Sequence, residues 1–73
     1  MAKFEIKNRW SNELIFSIET DSWKLAVEAA IKAESNLSES DLSWANLSNA
    51  NLSKADLSKA DLSKADLSWA DLS

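Results

Sequence analysis

Two residue types in this 73-residue chain recur at a spacing that invites a chemical reading. Serines stand at Ser38, Ser43, Ser48, Ser53, Ser58, Ser63, Ser68 and Ser73, and aspartates at Asp41, Asp56, Asp61, Asp66 and Asp71. A serine hydroxyl is a nucleophile only when a base takes its proton. The chain holds no His, Cys or Tyr, and no base is expected beside any serine of this column. Converging carboxylates would bind a hard cation or form an acid/base pair. At a spacing of five, Asp56, Asp61, Asp66 and Asp71 fall on different faces and do not converge. The serines therefore read as turn residues and the aspartates as solvated corner residues. No catalytic, cofactor-binding or metal-ligating residue is expected, no cofactor is implied, and the chain does not read as an enzyme.

The spacing itself is the stronger signal. From Ser35 the chain runs SNLSE, SDLSW, ANLSN, ANLSK, ADLSK, ADLSK, ADLSW and ADLS, eight units with the last one residue short. A leucine stands at the centre of each: Leu37, Leu42, Leu47, Leu52, Leu57, Leu62, Leu67 and Leu72. Two positions before each leucine lies Ser35, Ser40 or an alanine from Ala45 to Ala70. The residue just before it is always Asn or Asp, and the residue after it always Ser. A period of five matches neither a helix at 3.6 nor a strand at 2, and internal repetition of this kind signals a solenoid. Only the leucine and the residue two before it are consistently apolar or small. Burying those two makes a short extended piece followed by a corner. Four corners close a square, so twenty residues make one coil, and coils stack at about 4.8 Å.

The A(D/N)LSx motif over residues 35–73 resembles the pentapeptide-repeat family. That resemblance implies a mainly β fold, a right-handed quadrilateral β-helix, here of two coils. In such a stack residues twenty apart lie over each other. Glu39 then pairs with Lys59 and Trp44 covers Lys64 as a cation–π contact. Asn49 lies over Trp69, Asp41 over Asp61, and the remaining Asn/Asp pairs hydrogen-bond between coils. In family terms Gly or Asn at the corner favours a type II turn, which needs φ > 0. Lys, Trp and Glu dominate that position here, so type I-like corners are expected.

These coils need an end cover, and residues 1–34 do not repeat. Lys3 to Asn8 and the run around Leu14, Phe16 and Ile18 alternate as strands, with Ile15 on the opposite face. Asn12 in the intervening segment tolerates φ > 0 and suits a hairpin turn. Asp21 or Ser22 offers an N-cap. Beyond it Trp23, Ala26, Val27, Ala30 and Ile31 form one helical stripe, with Glu28 and Lys32 as an i,i+4 pair. Glu34 stands where a terminating glycine would, so the repeats rather than a C-cap are expected to stop the helix. The reading is an N-terminal cap over 1–34 (hairpin 3–19, helix 22–33), followed by the solenoid over 35–73. This segment also resembles the hairpin-plus-helix cap of some family members. Trp10 and Trp23 are expected to pack within it.

Composition narrows the function classes. Net charge is −4, which disfavours nucleic acid as a partner. No stretch has the length of a membrane span and no signal peptide is visible, so neither membrane nor secretion is expected. A soluble, cytoplasmic location is the reading. Gly and Pro are both absent, against usual shares of roughly 7% and 5%. With near-identical repeats, that reads as a designed or consensus-idealised sequence, in which case its setting is soluble recombinant expression. No C-terminal cap is seen after Ser73. Ala55, Leu57, Ala60, Leu62, Ala65, Leu67, Ala70 and Leu72 would then be bare at that end, with unpaired backbone groups. With the other end covered, tail-to-tail pairing gives a two-fold homodimer. Trp44 and Trp69 are expected to point outward, where exposed Trp can mark an interface. The function so read is a non-catalytic structural scaffold that self-associates. The resemblance also implies an alternative, an acidic DNA mimic that binds topoisomerases, although the lysines dilute the charge. Lattice binding in the manner of ice-binding solenoids lacks its Thr-rich face.

Overall fold

The computed structural model describes residues 2–72. Strands β1 (Ala2–Asn8) and β2 (Leu14–Thr20) form an antiparallel hairpin, and helix α1 spans Trp23–Lys32. A short strand, β3 (Ser40–Asp41), pairs antiparallel with the end of β1 through Lys7 and Asn8, giving the sheet order β2-β1-β3. The hairpin loop turns on Asn12, at φ 64°. Asn8 holds it, its Oδ1 accepting the N–H groups of Trp10 (2.8 Å) and Ser11 (3.0 Å).

Strand β2 departs from simple alternation. Ile6 pairs with Phe16 but Lys7 pairs with Leu14, so Ile15 is the extra residue of a bulge. The bulge turns Ile15 and Phe16 onto the core and leaves Leu14 exposed. Leu14 and Phe16 therefore do not share a buried face, contrary to the alternation read from sequence.

Both ends of α1 are capped. Ser22 is the N-cap, in extended conformation, and its Oγ accepts the N–H of Leu25 at 3.2 Å. At the other end Glu34 takes φ 61°. Its N–H reaches the Ile31 carbonyl (2.9 Å), and that of Ser35 reaches the Ala30 carbonyl (3.0 Å). These two bonds are a Schellman motif, so the helix does end in a C-cap, with Glu in the place glycine usually takes. Ala26, Val27 and Ala30 are buried, and Trp23 meets Phe4 edge-on at 4.8 Å. The i,i+4 ion pair is Lys24 with Glu28 at 3.2 Å, not Glu28 with Lys32. Glu28 is turned toward the repeats, where its other oxygen accepts the Asn51 N–H at 2.8 Å.

Each repeat closes on itself. The residue three after a leucine donates to that leucine's carbonyl, from Ser40 to Leu37 (3.2 Å) through Ala70 to Leu67 (3.0 Å). The third residue of every such turn has positive φ: Glu39, Trp44, Asn49, Lys54, Lys59, Lys64 and Trp69, between 61° and 72°. Positive φ there and not at the preceding serine is the signature of type II turns. The type I-like expectation is overturned, and the hydrogen bonds give the reason. The left-handed corner points its N–H along the stack, so Glu39 reaches the Ser58 carbonyl (2.9 Å), Trp44 that of Ser63 (3.0 Å) and Asn49 that of Ser68 (2.9 Å). At these three corners the bond gained offsets a conformation that costs a non-glycine residue about 1–2 kcal/mol.

Successive passes of the chain meet at a twenty-residue spacing. Parallel bridges join Asp41 to Asp61, Asn46 to Asp66 and Asn51 to Asp71. Each rests on a reciprocal pair, such as Leu42 N–H to the Asp61 carbonyl (2.9 Å) and Asp61 N–H to the Ser40 carbonyl (2.8 Å). The first of the four faces differs. Glu39 still bonds Ser58, but no backbone bond joins Ser35–Leu37 to Ala55–Leu57. Leu37, Leu42, Leu47 and Leu52 are buried with Ile6, Val27, Ala45 and Ala50 in one core. Leu57, Leu62 and Leu67 are only half-buried, and Leu72 is 60% exposed.

Candidate functional site

The regular Asn/Asp and Ser columns form a ladder of local hydrogen bonds. In every unit from Asp41 to Asp66 the Asx Oδ1 accepts the Ser backbone N–H two residues on, at 3.0–3.1 Å. The same oxygen accepts that serine's hydroxyl, at 2.6–2.8 Å. These are Asx turns, so the side chains fold back on their own unit instead of bonding between passes as the stacking read from sequence suggested. A short polar side chain closes the nearby turn more readily than it spans to the next pass. Asn36 accepts only the Ser38 N–H (2.9 Å), and Ser73 lies outside the described residues.

The ladder also alters the view of the serines. Ser43, Ser58, Ser63 and Ser68 each have a carboxylate beside the hydroxyl, which the sequence reading did not anticipate. Beside Ser58, Ser63 and Ser68 that carboxylate is a poor base. The hydroxyl and then the backbone N–H of Ser58, Ser63 and Ser68 hold Asp56, Asp61 and Asp66 below the ordinary carboxylate pKa, and Arg9 adds a little at Asp61. Asn46 and Asn51, which take no proton, make the same two bonds. The arrangement works as a turn lock irrespective of charge. Among the described residues no cluster of three or more His, Cys, Asp or Glu side chains could hold a metal ion.

The aromatic side chains divide between packing and display. Trp44 is 74% exposed, with the Lys64 ammonium 5.4 Å from its ring centroid, and Trp69 is 88% exposed. Trp10 is 62% exposed and does not pack the hairpin as expected, because the loop carries it past the end of the sheet. The Arg9 guanidinium sits 4.9 Å over its ring. Arg9 ties the hairpin to the repeats, its N–H donating to the Glu39 carbonyl (2.7 Å) and its Nη1 to the Lys59 carbonyl (2.9 Å). The end of β1 thereby occupies the Glu39 corner, where Asn8 Nδ2 donates to the Glu39 carboxylate at 3.3 Å. The Glu39–Lys59 ion pair expected from stacking is absent among the described residues.

Two residues that tie the non-repeating segment to the repeats, Arg9 and Glu28, escaped sequence reading because each spends its side chain on a distant backbone group. The half-buried residues Ala55, Leu57, Ala60, Leu62, Ala65, Leu67 and Ala70, with exposed Leu72, belong to the second pass of the chain. No helix among the described residues is long and apolar enough to cross a membrane.

Residues 35–73 match the family model described as pentapeptide repeats, in eight copies. No curated protein and no solved structure matches the chain.

Proposed function

This chain belongs to the pentapeptide-repeat family, and from that premise we propose that it is a non-catalytic structural scaffold that self-associates. Its repeats form a right-handed quadrilateral β-helix of two coils, capped by the hairpin and α1. The observation that carries the reading is the burial gradient: four fully buried leucines in the first pass, three half-buried ones and the exposed Leu72 in the second. A second copy placed tail to tail would bury that layer, making an isologous dimer with one continuous core. Lys59 and Lys64 alternate with Asp56, Asp61 and Asp66 around the same coil and Lys54 adjoins it, so a two-fold partner has opposite charges available. Near-uniform repeats without Gly or Pro support a designed or idealised origin.

Sedimentation equilibrium on the 73-residue chain tests the association. A dimer that Leu67→Lys converts to monomer is expected; a monomer across the whole concentration range refutes it. The second reading, an acidic rod that binds a topoisomerase, draws support from the −4 charge. A gyrase supercoiling assay unaffected by excess protein removes it.

A further inference from the structure

We propose that the open part of the first repeat face, beside the C-terminal end of α1, binds a small amphipathic carboxylate. A cavity of about 620 Å³ lies there, lined among others by Ile31, Lys32, Glu34, Lys54, Ala55 and Asp56. A second cavity of about 430 Å³ shares Ile31, Lys32 and Lys54 with it. The larger one falls within the range of small-molecule sites.

The cavity exists because this face is not zipped. On the other three faces the second-pass aspartate N–H donates upward, Asp61 to Ser40, Asp66 to Ala45 and Asp71 to Ala50. The corresponding bond from Asp56 to Ser35 is missing, as is the one from Leu37 to Asp56. By the pattern of the other faces, the Asp56 N–H is aimed into the gap without a backbone acceptor, a state the fold elsewhere avoids.

Two ammoniums beside the gap are free to meet an anion. Lys32 and Lys54 hold no carboxylate, since the ion pairs among the described residues involve Lys3, Lys7 and Lys24. The Asp56 carboxylate also borders the gap and keeps its charge, but both its bonds from Ser58 are local to its own turn. Glu34 is the one uncommitted acid against two uncommitted ammoniums. Ile31, Ala55 and the methylene stems of the two lysines supply an apolar wall.

The same seam already contains the interaction the ligand would make. One face earlier, the Glu28 carboxylate caps the Asn51 N–H at 2.8 Å. A free carboxylate would cap Asp56 in the same way, flanked by the Lys32 and Lys54 ammoniums, with its hydrocarbon against Ile31. Charge-assisted bonds of this kind are the stronger class.

Titrating decanoate into isotopically labelled protein, followed by backbone NMR, tests the site. Shifts confined to Ile31, Lys32 and the Lys54–Asp56 segment are expected, with no such response to decanol. Lys32→Gln and Lys54→Gln should each weaken binding about fivefold, while Lys59→Gln leaves it unchanged; circular dichroism checks that each variant folds. Shifts centred on Leu62, Leu67 and Leu72, equal binding of decanol, or indifference to both lysine changes would overturn the assignment.

Discussion

Replacing Lys59 by glycine tests the origin of the corners. Lys59 sits at φ 61°, and its side chain takes part in no ion pair or ring contact among the described residues. Its one long-range bond, from Arg9, ends on the backbone carbonyl and survives the change. A non-glycine residue in the left-handed region carries about 1–2 kcal/mol of steric cost. Glycine removes that cost but adds about 0.5–1 kcal/mol of unfolded-chain entropy. The net gain then lies between about 0 and about 1.5 kcal/mol, centred on about 0.75 kcal/mol. At about 4–8 °C per kcal/mol for a domain of this size, the central value raises the midpoint by about 3–6 °C. Circular dichroism melts at one fixed protein concentration give the readout, because association shifts the midpoint by mass action. Ser58→Gly is the matched control. It adds flexibility where φ is not positive and removes a hydroxyl that Asp56 accepts at 2.8 Å, so it should lower the midpoint. A fall for Lys59→Gly, or equal effects at both positions, would show that the corner carries no strain and that the turn assignment is wrong.

Three further outcomes are expected. Ser40 is fully buried and its Oγ has no partner, at a repeat position where Ala45 and Ala50 fit the same core; Ser40→Ala should stabilise the fold by about 1–2 kcal/mol in urea melts, and destabilisation would reveal a hidden partner. Glu28→Ala should cost about 1–2 kcal/mol by freeing Lys24 and the Asn51 N–H, with Glu28→Gln recovering part; an unchanged urea midpoint would show that this bond does not anchor the helix. Asp56, Asp61 and Asp66 have folded-state pKa values below the ordinary one. Their contribution is therefore present above the unfolded pKa of about 3.9 and disappears as pH falls through the folded values. The triple change to Asn, which keeps the Asx turn, should shrink the loss of thermal midpoint between about pH 6 and about pH 3; an undiminished loss would place the acid sensitivity elsewhere.

The leucine column was legible because a period of five leaves one reading of which residues face inward, and Leu37 to Leu52 are the core. The corners were misread because preference was inferred residue by residue. Glu39, Trp44 and Lys59 would each choose a negative φ alone, but each is held by a bond along the stack or by the closing turn. The Asx ladder had a signal that passed unused: an Asn or Asp two before a serine in all eight units is the pattern of an Asx turn. Leu14 was placed by strict alternation, which a single bulge at Ile15 defeats. The preference of Glu28 for Lys24 over Lys32 was invisible, since it depends on where Asn51 arrives from a distant part of the chain. The open seam was equally hidden, because the repeats on either side of it look like all the others.

The ties from Arg9 to Lys59 and from Glu28 to Asn51 each fasten the non-repeating segment to one side of the stack. They give the molecule an angular phase. Adding a single five-residue unit before Asn51 would rotate everything after it by a quarter turn. Because both ties end on backbone groups, the unit moved into place would still offer Glu28 an N–H and Arg9 a carbonyl, whereas a unit inserted between Trp44 and Lys64 would bring Lys59 opposite Trp44 instead. Four units added between Trp44 and Lys64 would set them two passes apart and break their contact. The twenty-residue spacing at which Asp41 meets Asp61 thus decides which side chains face each other from pass to pass, while the backbone ties are indifferent to which unit they grip.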